Sequence, residues 1–225
     1  MYNLENKWKG TDSVVRIEVG ESTILEGHLA IPKNATGIVV FVHGSGSSRH
    51  SPRNQYVARV LNEAGLGTLL FDLLTDNEER VDAYTRALRF DIGLLADRVV
   101  AATRWLKLRP ETAELNVGYF GASTGAAAAL VAAAELPEVV KAVVSRGGRP
   151  DLAAGALAGV SAPTLMIVGE RDYEVIELNK IALRRMPDET VKRIILVPKA
   201  THLFEEPGTL ERAAFLASDW FGERL

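Results

Sequence analysis

The sequence predicts an α/β fold: a mostly parallel sheet of about eight strands, covered by helices on both faces. Three observations point there. Short strand-like runs recur along the chain, and the later ones are nearly unbroken apolar stretches. Segments of helical period fall between them. The first two runs differ, alternating polar and apolar residues and sitting close together.

Taken in order, residues 14–19 and 24–31 alternate, which suits an antiparallel hairpin with one wet face. Residues 38–42, 68–71, 117–120, 142–145, 164–168 and 193–197 are the later runs. Gly37-Ile38-Val39-Val40-Phe41-Val42 and Leu165-Met166-Ile167-Val168 suit strands buried on both faces, as in a parallel sheet. In 91–106 the apolar positions Ile92, Leu95, Val99, Ala102 and Leu106 step by three or four and mark one helical face. Leu210, Ala214, Ala217 and Phe221 do the same near the end, and alanine-rich 126–134 lies inside a helical pattern. Residues 73–90, charged around Asp76-Asn77-Glu78-Glu79-Arg80, are less periodic. They read as a long surface connection of the kind that borders a site. No repeat, low-complexity tract or linker divides the chain, so 1–225 reads as one domain, with 1–12 a loosely packed lead.

Composition narrows the function. With 47% hydrophobic and 24% charged residues the chain is ordinary globular material. A net charge of −3 supplies no basic field for nucleic acid or an anionic membrane surface. No apolar run approaches the ~20 residues that span a bilayer. Residues 1–10 are polar and carry no apolar signal core, so a cytoplasmic location is the expectation. Zero cysteines removes disulfides, thiolate metal sites and cysteine nucleophiles together.

The chemistry begins at Val117-Gly118-Tyr119-Phe120-Gly121-Ala122-Ser123-Thr124-Gly125-Ala126, where a strand runs through Gly-x-Ser-x-Gly into an alanine-rich helix. A nucleophile on so sharp a strand-to-helix turn needs small neighbours, and Gly121 and Gly125 lack the Cβ atoms that would clash across it. The helix N-terminus there favours developing negative charge. Ser123 is therefore the candidate nucleophile. Its base is His202, on the loop after the last strand run, at the sheet edge where ligands of α/β proteins gather. An imidazole can take the serine proton and return it to a leaving group. The orienting acid falls between them in the order Ser…Asp…His, which selects Asp172 in Val168-Gly169-Glu170-Arg171-Asp172. Asp151 is the main competitor.

Two backbone N–H groups should receive the oxyanion, one from Thr124 and one from Ser45 in His43-Gly44-Ser45-Gly46-Ser47-Ser48. A phosphate-cradling reading of Gly44-x-Gly46 lacks the third spaced glycine and the Gly-Lys-Ser/Thr ending. His43 then reads as a hydrogen-bonding brace of the loop. Arg49, Arg53 and Arg146 (with Arg149) should open at the catalytic edge, where a guanidinium could bind a substrate carboxylate or phosphate. Phe90, Tyr173 and Phe204 are candidates to line an acyl pocket.

Together the His43-Gly44 loop, the Ser123 elbow, Asp172 and His202 resemble the α/β-hydrolase superfamily over nearly the whole chain. Within it they resemble the small, lidless dienelactone-hydrolase-like group. The resemblance implies an α/β-hydrolase fold without a large cap domain, a Ser-His-Asp triad, and no metal or organic cofactor. The stretch from His43 to Asn54 also looks like a subgroup of predicted hydrolases associated with fusion to phosphoribosyltransferase domains; no second domain of that kind is expected here. Authentic dienelactone hydrolases use a cysteine nucleophile. Serine in its place points to ester or other acyl chemistry, with a small-molecule acyl substrate and neither nucleic acid nor membrane as partner. Binding of a small ligand without turnover, and acyl transfer to an acceptor other than water, use the same residues.

Overall fold

Each unbroken apolar run forms a strand in the computed structural model, which describes residues 10–225. β3 (Gly37–Val42) is buried at every position, and its residues alternate between two cores. Ile38, Val40 and Val42 join the core on one side of the sheet, while Val39 and Phe41 join the other. That period-two partition makes an unbroken hydrophobic run a central strand.

The eight strands among the described residues are β1 (Gly10–Val19), β2 (Thr23–Pro32), β3, β4 (Gly67–Phe71), β5 (Asn116–Ala122), β6 (Val140–Arg146), β7 (Thr164–Gly169) and β8 (Lys192–Val197). They lie in the order β1-β2-β4-β3-β5-β6-β7-β8. β1 with β2 and β2 with β4 are antiparallel, and every other pair is parallel. The first hairpin has the wet face its alternation predicts, with Val15 and Ile17 buried and their neighbours exposed.

Among the described residues six α-helices accompany the sheet: α1 (Pro52–Glu63), α2 (Asp76–Thr85), α3 (Ile92–Lys107), α4 (Thr124–Glu135), α5 (Tyr173–Arg185) and α6 (Thr209–Gly222). α3 and α4 contribute to the core that holds Ile38 and Val40, whereas α1 and α6 contribute to the one that holds Val39 and Phe41. α4 is buried almost all round, and its run of alanines lets the backbone approach the sheet closely. Only a ten-residue 3₁₀ stretch, Pro150–Gly159, separates β6 from the approach to β7, so no cap domain is built there. Among the described residues no helix is long and apolar enough to cross a membrane.

Two expectations need correction. Residues 10–12 are not part of a loose lead: they open β1, with Gly10 opposite Pro32. The remainder of that lead, residues 1–9, lies outside the described residues. Residues 73–90 are not a plain surface connection, because they contain α2 and a 3₁₀ turn over Leu88–Phe90. The only buried residue of α2 is Asp82, so no apolar stripe announces the helix. A capping box starts it instead, with Thr75 accepting from the Glu78 N–H and Glu78 accepting from the Thr75 N–H. Arg98 then pairs with Glu78 at 2.7 Å, and Asp82 accepts from the Leu88 and Arg89 amides.

Candidate active site

β5 ends at Ala122 and α4 begins at Thr124, leaving one residue to make the turn. Ser123 makes it at φ 50° and ψ −123°, a conformation costing a non-glycine residue roughly 1–3 kcal/mol. Three backbone hydrogen bonds hold it there. The Ser123 N–H donates to Arg146 O at 3.3 Å, while its carbonyl accepts from Ala126 at 3.1 Å and Arg149 at 3.0 Å. The flanking glycines are steric requirements. A Cβ on Gly125 would stand 2.1 Å from Val42 O, and one on Gly121 would stand 2.4 Å from Ala126 Cα. A Cβ on Gly44 would sit 3.0 Å from both Ala122 O and the Ser123 Cβ, so the loop after β3 packs directly on the elbow.

Against Ser123 stand two loops. The His202 imidazole Nε2 lies 3.4 Å from Ser123 Oγ, and its Nδ1 lies 2.7 Å from Asp172 Oδ2. A carboxylate only accepts, so Nδ1 carries the proton and Nε2 presents its lone pair to the serine. The two loops are knitted together. Arg171 N–H donates to Ala200 O at 3.0 Å, Glu170 N–H to Val197 O at 3.0 Å, and Lys199 N–H to the Glu170 carboxylate at 3.0 Å. A Cβ at Gly169 would come within 2.5 Å of Ala200 O, so only glycine permits this approach. Asp151 is elsewhere: its two oxygens take a bidentate pair from Arg149, at 2.9 and 2.8 Å. The structure thus brings Asp172 to His202, and Asp151 to an arginine.

The two amides expected at the oxyanion position meet in an unexpected way. Ser45 N–H donates to the side-chain Oγ1 of Thr124 at 2.9 Å. The Thr124 N–H belongs to the first turn of α4 and so has no intrahelical acceptor. His43 braces the loop from beneath. Its Nδ1–H donates to Gly44 O at 3.0 Å, and its Nε2 accepts from the Leu73 N–H at 3.1 Å. Burial lowers its pKa below the usual histidine value, against the smaller opposing pull of that Gly44 bond and of Asp72.

The arginines divide differently from the expectation of a common fork at the catalytic edge. Arg49 is committed to carboxylates of its own chain, its guanidinium pairing with Asp72 and with Glu26 at 2.5 Å. Arg53 reaches Glu205 at 3.4 Å near the surface. Arg146 is buried rather than open to the edge. Its guanidinium carbon lies 6.0 Å from the Phe120 ring centre and 5.8 Å from that of Phe204, and Nη2 lies 3.4 Å from Asn54 Oδ1. Burial, helped by Arg53, pushes its pKa down to about 10. Phe204 is core, whereas Phe90 and Tyr173 are exposed. Sequence reasoning missed Glu79 and Arg89, which line a small cavity with Ser45, Gly46 and Leu73. Burial raises the Glu79 pKa, with Arg89 opposing. The Thr75-x-x-Glu78 cap is the signal that locates this helix. A larger depression lies among Glu26, Arg49, Asp72, Asp76 and Arg80, and neither Ser123 nor His202 lines it.

Known proteins share this arrangement of elements. The model of the dienelactone hydrolase family matches residues 25–219. The crystal structure of a dienelactone hydrolase from Anabaena variabilis ATCC 29413 is 61% identical, with a TM-score of 0.93, covering 96% of this chain and 99% of that one. A dienelactone hydrolase-like promiscuous phosphotriesterase from metagenomic libraries shares the fold at 20% identity and a TM-score of 0.75, covering 95% of this chain and 98% of that one. Two Mycobacterium tuberculosis proteins (strains CDC 1551 / Oshkosh and ATCC 25618 / H37Rv), provisionally named phosphoribosyl transferases, are 58% identical over 214 residues. That match takes in 95% of this chain and 47% of each relative, so the chain spans about half the length of these curated relatives. A family match over most of the sequence, and a near-complete superposition at high identity, agree with the strand order and the elbow: the chain is a member of the dienelactone hydrolase family.

Proposed function

We propose that the chain is a serine hydrolase that cleaves a small carboxylic ester, or a related acyl substrate, through an acyl-enzyme on Ser123. The observation that carries this reading is the continuous relay from Ser123 Oγ to His202 Nε2 (3.4 Å) and from His202 Nδ1 to Asp172 (2.7 Å), at a strained elbow. Family membership and the fold support hydrolase chemistry in general.

Ser123 Oγ attacks the acyl carbon while its proton moves to His202 Nε2. The carbonyl π pair moves onto oxygen, which the free Thr124 N–H in the first turn of α4 is available to receive. His202 then protonates the leaving alkoxide, and the acyl–Oγ bond remains. Water attacks that ester in turn, giving its proton to the same Nε2, and Ser123 is released with its proton restored. Asp172 holds the imidazole in the tautomer that can accept from serine, and stabilises the imidazolium formed in both steps. Serine suits ester cleavage, because an alkoxide-like nucleophile generated by a base needs no lowered thiol pKa.

The phosphoribosyl transferase name belongs to relatives of which the chain covers less than half. The loop after β3 lacks a Gly-Lys-Ser/Thr phosphate cradle, and its Ser45 amide is bonded to Thr124. The test is covalent labelling of Ser123 by a fluorophosphonate, which the Ser123→Ala chain should not undergo.

A further inference from the structure

The expected oxyanion donor from the loop after β3 is already occupied. Ser45 N–H points at Thr124 Oγ1, 2.9 Å away, so the hydroxyl stands where that amide would otherwise meet a substrate oxygen. We infer that the Thr124 hydroxyl is itself an oxyanion-hole donor, polarised from behind by the Ser45 amide. This inference rests on the acyl-enzyme reading above.

The hydroxyl has one proton and two acceptor lone pairs. Ser45 N–H uses a lone pair, and the proton has no acceptor among the described residues. A threonine inside a helix spends that proton on the carbonyl four residues back, as Thr103 does on Val99 O at 2.8 Å. Thr124 is the first residue of α4, and the residue four before it, Phe120, lies in β5. No helical carbonyl is in place for it. Thr124 is nonetheless buried and directly follows the nucleophile, and the Gly44 backbone packs against the elbow at Ala122 and Ser123. A donor that itself accepts from an amide is strengthened by that chain of bonds.

When Ser123 Oγ bonds to the acyl carbon, the carbonyl oxygen gains the π pair. It then accepts from the Thr124 N–H and the Thr124 O–H, both carried by the residue after the nucleophile. The Ser45 amide acts through the hydroxyl rather than on the substrate. Residue 124 therefore becomes a second determinant of rate.

The experiment compares Thr124→Val, Thr124→Ala and Thr124→Ser with the unaltered chain on a p-nitrophenyl ester. A trifluoromethyl ketone, whose serine adduct carries an oxyanion, is the second readout. Val and Ala should lose about 10²-fold in kcat, with KM within about threefold. Their inhibition constants for the ketone should rise in parallel, while Ser stays within about fivefold on both measures. Thr124→Val activity equal to or above that of the unaltered chain would overturn the inference, since removing the hydroxyl would have freed Ser45 N–H to act directly. An equal loss in Thr124→Ser would overturn it too. Should Val fail to unfold cooperatively, the Ser and Ala pair, differing only in the hydroxyl, decides. Ester turnover persisting in Ser123→Ala would defeat the acyl-enzyme reading itself. Turnover lost in Ser123→Ala but kept in Thr124→Val would defeat only the hydroxyl.

Discussion

Replacing Asp172 by asparagine removes a charge without removing volume, and the size of its effect can be worked from the site. In the transition state His202 becomes an imidazolium 2.7 Å, N to O, from the Asp172 carboxylate. With charge centres about 4 Å apart and an effective dielectric near 20, that attraction is about 4 kcal/mol. The acid side chain is 14% exposed but the imidazole is 37% exposed, and solvent around the histidine reduces the figure to about 2–4 kcal/mol. An asparagine amide can also donate to Nδ1, which would put the imidazole proton on Nε2 and leave Ser123 without an acceptor. At 1.36 kcal/mol per factor of ten, these effects predict a fall in kcat of about 10²–10³. KM should move little, because the acid does not touch substrate. Steady-state hydrolysis of a p-nitrophenyl ester, with thermal unfolding as a check on folding, gives both constants. Asp151→Asn is the paired control and should keep kcat within a few-fold, its carboxylate being bonded to Arg149. Asp172→Asn retaining more than a tenth of kcat would exclude Asp172 as the orienting acid, as would an equal loss in Asp151→Asn.

Gly125→Ala should be severely destabilising, because its Cβ would lie 2.1 Å from Val42 O and 2.4 Å from His43 O, both backbone atoms that cannot step aside. Chemical unfolding should show a loss above about 3 kcal/mol, or no folded protein, and a near-normal midpoint would count against the tight elbow. His43 predicts a pH dependence of stability. Its folded pKa lies below the unfolded value of about 6.5, so its contribution is complete above that pH and is lost as pH falls through the depressed folded value. Unfolding midpoints should therefore decline as pH falls below about 6.5, less steeply in His43→Asn, and equal slopes in the two chains would contradict a buried neutral brace.

What the sequence makes legible here is what is local. A run such as Gly37-Ile38-Val39-Val40-Phe41-Val42, short and rich in β-branched residues, reads as a strand between two cores, and Gly-x-Ser-x-Gly carries its own steric explanation in Gly121 and Gly125. The order of Ser123, Asp172 and His202 follows from a parallel sheet that delivers successive loops to one edge. The partners of long side chains are settled by tertiary packing instead. Arg49 is claimed by Glu26 and Asp72, each 23 residues away, and Arg146 turns under Phe204. No local pattern reports such choices. α2 escaped because hydrophobic period is a signal of burial, and this helix is held by its cap and by charges. The bond from Ser45 to Thr124 joins segments 79 residues apart.

In the proposed function Ser123 is a nucleophile activated by His202. Its most direct test is exposure of the folded chain to a fluorophosphonate, with the modified peptide identified by mass. One adduct is expected, on Ser123, absent from Ser123→Ala and formed at least about 10²-fold more slowly in His202→Ala. No adduct on the unaltered chain, or equal labelling after Ser123→Ala, would contradict it.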